Sequence, residues 1–180
     1  KSWTDTLSTT EQDWTFRLTQ RWQNRWIGYA ASFLDIGDDF ITQTGFVREN
    51  DLQRVGLGIF TNPFVRRFGI RRVNFTIQSN YITKKNTDFS DADTWSVTPN
   101  LFFELERGIW VGGTYSRAFD TLGSPSRIGG VHFNAGSYSF DQGNVFIFTN
   151  QGKKISGQGS VQFGKFYGAD LLSLSTRVSF

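Results

Sequence analysis

The chain of 180 residues has no cysteine, no methionine, one histidine and three prolines. Without cysteine there is no disulfide, no thiolate metal site and no cysteine nucleophile, and redox chemistry gives no compartment. A single histidine excludes a multi-histidine metal centre, and no cofactor is implied. No run approaches the roughly 20 apolar residues of a membrane-spanning helix; the hydrophobic fraction is 38% and the mean hydropathy −0.35. Strands remain a route across a bilayer, because alternating apolar and polar residues average to an ordinary composition. The net charge is only +3 and the basic residues form no block, so no nucleic-acid partner is implied. No composition shift divides the chain, which reads as one domain over residues 1–180. It begins at Lys1 with no apolar leader core, which reads as a processed, trimmed or engineered chain.

What is abundant is aromatic residues and glycine: 19 Phe, 6 Trp, 5 Tyr and 19 Gly, a strand-and-turn composition. Period-two alternation runs through most of the chain. Trp14, Phe16, Leu18 and Trp22 share one parity, and Arg17, Thr19 and Arg21 the other; Val73, Phe75, Ile77 and Tyr81 oppose Arg72, Asn74, Gln78 and Asn80. The pattern predicts about ten strands, with eight to twelve accommodated, many of them longer than globular strands. Asp141-Gln142-Gly143 reads as a short turn between a seventh and an eighth strand. Polar stretches from Asp35 to Asp51, Lys84 to Asp93 and Asp120 to Arg127 read as long loops alternating with short turns. The fold class expected is all-β: a transmembrane antiparallel up-and-down β-barrel. The rival is a soluble sandwich or lipocalin-like barrel, whose outer face carries dense Lys and Glu; here the polar face is Gly, Ser, Thr, Asn and Gln with scattered Arg. Closure requires Glu11–Trp22 to pair with Asp170–Phe180, since an unpaired edge in hydrocarbon leaves backbone groups unsatisfied. Pro99, the one proline inside a predicted strand, should produce a bulge or local break.

Parity assigns the candidate residues. Val73, Phe75, Ile77, Leu101, Phe103, Leu172 and Leu174 are expected to face lipid. Arg17, Arg21, Arg54, Arg72, Asn74, Gln78, Glu104, Glu106, His132, Gln158, Gln162 and Arg177 are expected to line the interior. Trp14, Trp22, Trp26, Trp95, Trp110 and Tyr81 lie near strand ends, where interfacial girdles form. Catalysis lacks support: His132 could meet Ser116 or Ser126, but there is no nucleophile-elbow motif. The acidic sets Asp35, Asp38, Asp39 and Asp88, Asp91, Asp93 lack calcium-loop spacing, and Asn74-Phe75-Thr76 is a sequon in mid-strand.

Residues Leu171 to Phe180, with Leu172, Leu174, Val178 and terminal Phe180 on one parity, resemble the C-terminal strand of bacterial outer-membrane proteins; Thr176 departs from the apolar pattern. The resemblance implies recognition by the barrel-assembly machinery and residence in the bacterial outer membrane. Asp35-Ile36-Gly37-Asp38-Asp39-Phe40, then Gly45-Phe46-Val47-Arg48, Asp51 and Arg54, is similar to the barrel portion of a bacterial family with a carbohydrate-binding-like N-terminal domain. Ile41, Thr42 and Gln43 stand where that family has Asn-Pro-Glu.

The function expected is a narrow passive pore for ions or small solutes, weakly anion-preferring through its inward arginines, with membrane lipid and the solute as partners. A non-conducting outer-membrane anchor or loop-based binding scaffold is the alternative, and a membrane-embedded hydrolase a third reading.

Overall fold

A computed structural model describes residues 15–37, 51–84, 92–128, 130–150 and 152–180, and all twelve elements in them are strands. They are β1 (Thr15–Gln23), β2 (Ile27–Ile36), β3 (Leu52–Thr61), β4 (Phe64–Arg67), β5 (Ile70–Lys84), β6 (Thr94–Leu105), β7 (Trp110–Leu122), β8 (Ser126–Ile128), β9 (Val131–Phe133), β10 (Gly136–Phe148), β11 (Ser156–Phe166) and β12 (Ala169–Ser179). Nine form one antiparallel meander, β1-β2-β3-β5-β6-β7-β10-β11-β12; β4 is a short flap on β5, and β8 and β9 form a separate hairpin.

Local chemistry sets the turns. Asn24 Oδ1 accepts from the backbone N–H of Trp26 at 2.7 Å and of Ile27 at 2.8 Å, closing the β1–β2 connection. Gly108 takes φ +73° in the β6–β7 turn. Tyr167 and Gly168, both left-handed, close β11–β12 in the two-residue geometry that matches strand twist. Long connections gather at one end, after β2, β5 and β7, with the tight β11–β12 turn beside them; shorter ones gather at the other.

The expected turn at Asp141-Gln142-Gly143 is instead the middle of β10, paired without interruption to β7. Gly143 serves side-chain space: the Phe163 ring lies where its Cβ would stand. Asp141 is satisfied within the sheet by the Tyr115 hydroxyl, with Arg117 at 3.9 Å. The supposed eighth strand and the stretch before the expected turn therefore merge into β10, and Val131–Phe133, expected in the seventh strand, belongs to the loop hairpin.

The merger overturns closure. Nine antiparallel strands are an odd number, so β1 and β12 run in the same direction, and each pairs on one side only, β1 with β2 and β12 with β11. No closed barrel forms among the described residues; residues 11–14 of the expected first strand lie outside them.

Pro99 behaves as proline chemistry requires. On the β5 side it stays in register with Ile77, while towards β7 the ladder opens between Val97↔Arg117 and Asn100↔Thr114 without a register shift. Thr98 Oγ1 and Ser116 Oγ, 3.1 Å apart, bridge the gap with side chains.

Candidate functional site

Register places side chains in rows across the sheet. One face carries Phe75, Leu101, Val145, Val161 and Leu174 in a single row. The next row carries Trp22, Tyr29, Ile59, Ile77, Pro99, Tyr115, Phe163 and Leu172, and Val73 and Phe103 pair in another. All seven residues expected to face lipid are on this face, as are Val178 of the C-terminal strand and the stacked pair Trp95–Phe119.

Within the nine long strands, every exposed large apolar side chain lies on this same face, Leu172 at 79% exposure and Leu174 at 74%. Only Leu52 and Ala118 are buried apolar residues among those described, so no second layer covers the sheet. Monomeric water-soluble proteins rarely leave so wide an apolar surface bare. From Val73 to Tyr81 the strand advances roughly 27 Å, and at a tilt of about 40° that is about 21 Å of height, close to the apolar band of a transmembrane barrel.

The opposite face is polar at its centre and aromatic towards its ends. Asn100 donates to Thr76 Oγ1 at 3.1 Å and accepts from Thr114 Oγ1 at 2.6 Å, tying β5, β6 and β7 together. The row continues through Asn144 to Gln162, and Gln162 donates to Gln142 at 3.4 Å. Among the described residues, ring contacts between side chains two strands apart lie on this face. The Arg21 guanidinium stands 5.3 Å from the Phe60 ring across β2, and Phe102 reaches Phe146 at 6.2 Å over Gly112 of β7. This closer approach makes the polar face the concave one.

Arg17, Arg21, Arg54, Arg72 and Arg177 all lie on the polar face, with Asn74, Gln78, Glu104, Gln158 and Gln162. Arg17 and Arg54 share a row with Leu34 between them, near the long-loop end. Arg72 and Arg177 lie near the other end. Among the described residues, Glu104 and Asp120 are the only acids on this face of the strands. Glu104, almost buried, is 2.9 Å from Arg71 and 3.7 Å from Arg72. Arg17, Arg21, Arg54 and Arg177 form no ion pair among the described residues.

Two expected interior residues lie off the sheet. Glu106 sits in the β6–β7 turn, its N–H donating to the Gly69 carbonyl. His132 is on β9 opposite Arg127, exposed, whereas Ser116 is held by Thr98 in the sheet and Ser126 donates to the Ser124 carbonyl. No catalytic constellation is assembled from these residues. No group of three metal-ligating side chains occurs among the described residues. Asp38, Asp39, Asp88 and Asp91 lie outside them, and so does most of the segment carrying the second family resemblance.

Two aromatic clusters on the concave face were not anticipated. At the short-turn end Phe102, Trp110, Phe146 and Phe148 are in ring contact, with centroids 5.2 to 6.2 Å apart. At the long-loop end Phe140, Phe166, Tyr138 and Tyr167 pack together, and Phe133 ties the β8–β9 hairpin onto them. The signal was present in the sequence, since Phe102 and Trp110 have the polar parity; Trp110 therefore belongs to this cluster and not to an outer girdle.

Tyr167, in the β11–β12 turn, donates its hydroxyl to Asp120, and its pKa is pushed up to about 12, first by burial and then by that bond. The neutral phenol contributes stability that is whole below its ordinary value of 10 and is lost as pH rises through about 12. Tyr167→Phe is expected to remove the last-ionising phenol from a spectrophotometric titration and the matching alkaline loss of stability between those values. An unchanged titration would show that Asp120 does not hold the proton there.

No protein family, curated protein or solved structure matches the chain.

Proposed function

We propose that this sheet is wall of an outer-membrane β-barrel enclosing a narrow passive pore for ions or small solutes, with a weak preference for anions. The observation that carries the reading is the opposition of the two faces: an uncovered apolar surface on one side, and on the other a concave polar surface with five arginines against two acids. A low-dielectric wall focuses the field of such arginines into the interior and concentrates anions there. Bacterial single-chain barrels have an even number of strands. The barrel therefore closes through an odd number of further strands inserted between β12 and β1. The C-terminal strand pattern supports delivery by the barrel-assembly machinery to the outer membrane, and membrane lipid is the partner of the apolar face.

A second reading, a non-conducting anchor or loop-presenting scaffold, draws on the aromatic clusters, which stand on the concave face at both ends and narrow any passage. Reversal potentials across a salt gradient, with the full chain in a planar bilayer, separate the two. Channel events with anion selectivity that fades as salt rises are expected. Arg17→Ser with Arg54→Ser should move the selectivity towards cations and raise the conductance, because two long cationic side chains leave the interior. Silence in the bilayer, or an unchanged double variant, would make the arginines structural and leave the anchor.

A further inference from the structure

The β4–β5 hairpin does something the sheet does not need. Its turn, Phe68-Gly69, is left-handed at both residues, with φ +55° and +75°, and Arg66 is left-handed as well at +52°. Glycine suits that backbone; Phe and Arg avoid it. The turn nevertheless presents Phe68 at 97% exposure, with Arg66 and Arg67 exposed beside it. Arg72 stacks on the Phe64 ring at 4.3 Å and Arg66 lies 6.0 Å from the same ring, so two guanidinium groups approach one aromatic side chain of the hairpin. Glu104 is occupied by Arg71 and Arg72, and neither Arg66 nor Arg67 has an acidic partner among the described residues. Val73 and Phe103, paired beside the hairpin, are the last large apolar pair on that side of β5 and β6 before it.

We propose that this hairpin is a headgroup site that takes the phosphate of an anionic phospholipid, with Arg66 and Arg67 as its donors and Phe68 lodged at the interface. The inference rests on the apolar face being lipid-facing, which puts the hairpin at headgroup depth. Charge complementarity selects the lipid: guanidinium forks match phosphate oxygens, and an exposed aromatic beside them suits the boundary between acyl chain and water. Each arginine near an anionic membrane surface strengthens association severalfold, and two together by roughly 30-fold.

The absence of cysteine lets one introduced at Asn62, exposed next to the hairpin, carry a fluorophore alone. The labelled full chain is reconstituted into phosphatidylcholine vesicles containing increasing phosphatidylglycerol, and co-flotation with pure phosphatidylcholine is read separately. The label should titrate with phosphatidylglycerol, more weakly at high salt. Arg66→Gln with Arg67→Gln should move the midpoint to roughly 30-fold more anionic lipid, while Arg66→Lys with Arg67→Lys, which keeps the charge, should restore much of the response. Co-flotation without any phosphatidylglycerol response overturns the headgroup site and leaves the membrane reading standing. Failure to co-float with either lipid overturns both. The same response to inorganic phosphate over pure phosphatidylcholine would make the ligand free phosphate and overturn the lipid assignment.

Discussion

Arginine at position 77 is expected to lower the stability of the chain folded in a bilayer by roughly 2–4 kcal/mol, and arginine at position 78 by less than about 1 kcal/mol. The two positions are adjacent on β5 and pair in register with the same strand, Ile77 with Pro99 and Gln78 with Thr98. The introduced residue and its place along the strand are therefore nearly constant, and the face is the main difference. Ile77 stands in the apolar row of Tyr29, Ile59 and Tyr115, with Val73 and Phe75 on one side of it along the same face of β5 and Tyr81 on the other. Gln78 is exposed on the polar face. Urea unfolding from vesicles, followed by tryptophan fluorescence, reads both variants. The reverse order, with Gln78→Arg costly and Ile77→Arg tolerated, would mean that water and not lipid meets the apolar face, and the outer-membrane reading would fall.

A second contrast uses two glycines that differ in what an added methyl would strike. At Gly112 it would meet backbone, the Leu101 carbonyl oxygen at 2.5 Å and the Phe102 Cα at 2.6 Å. Neither can move unless β6 and β7 part, so Gly112→Ala should cost about 1–3 kcal/mol. At Gly143 the three nearest atoms the methyl would meet all belong to the Phe163 ring, which is half-exposed on the apolar face. That ring can swing about its own χ angles, and Gly143→Ala should cost less than about 1 kcal/mol. The same unfolding assay measures both, and equal losses would show that Phe163 is pinned.

Much of this was legible because β-strand parity is a two-state code. A residue's face follows from counting, so the arginines and the apolar set sort from the sequence alone, and rows such as Thr76–Asn100–Thr114 follow once register is known. The failures come from residues whose chemistry is ambiguous one at a time. Asp141, Gln142 and Gly143 are good turn formers, and nothing local reveals that Tyr115 and Arg117, from a strand laid alongside, satisfy the aspartate. That single misreading changed ten strands to nine and with it the direction of the last. Glu106 has inward parity but falls just past the end of β6, where parity no longer applies. The short-turn-end cluster depends on Phe102 and Phe146, two strands apart, leaning over Gly112, and the long-loop-end cluster on the β8–β9 hairpin and the β11–β12 turn packing onto β10; alternation encodes neither.

The shared direction of β1 and β12 has a topological corollary. A circular permutant that joined Ser179 to Thr15 could not use a hairpin turn, since one residue lies at the short-turn end and the other at the long-loop end. The linker would have to traverse the full height of the sheet. At about 3.3 Å per extended residue the path takes roughly ten residues. A segment of that length and direction, laid between two open backbone edges, has a hydrogen-bonding partner on each side. The shortest link between the two ends of this sheet is itself a strand.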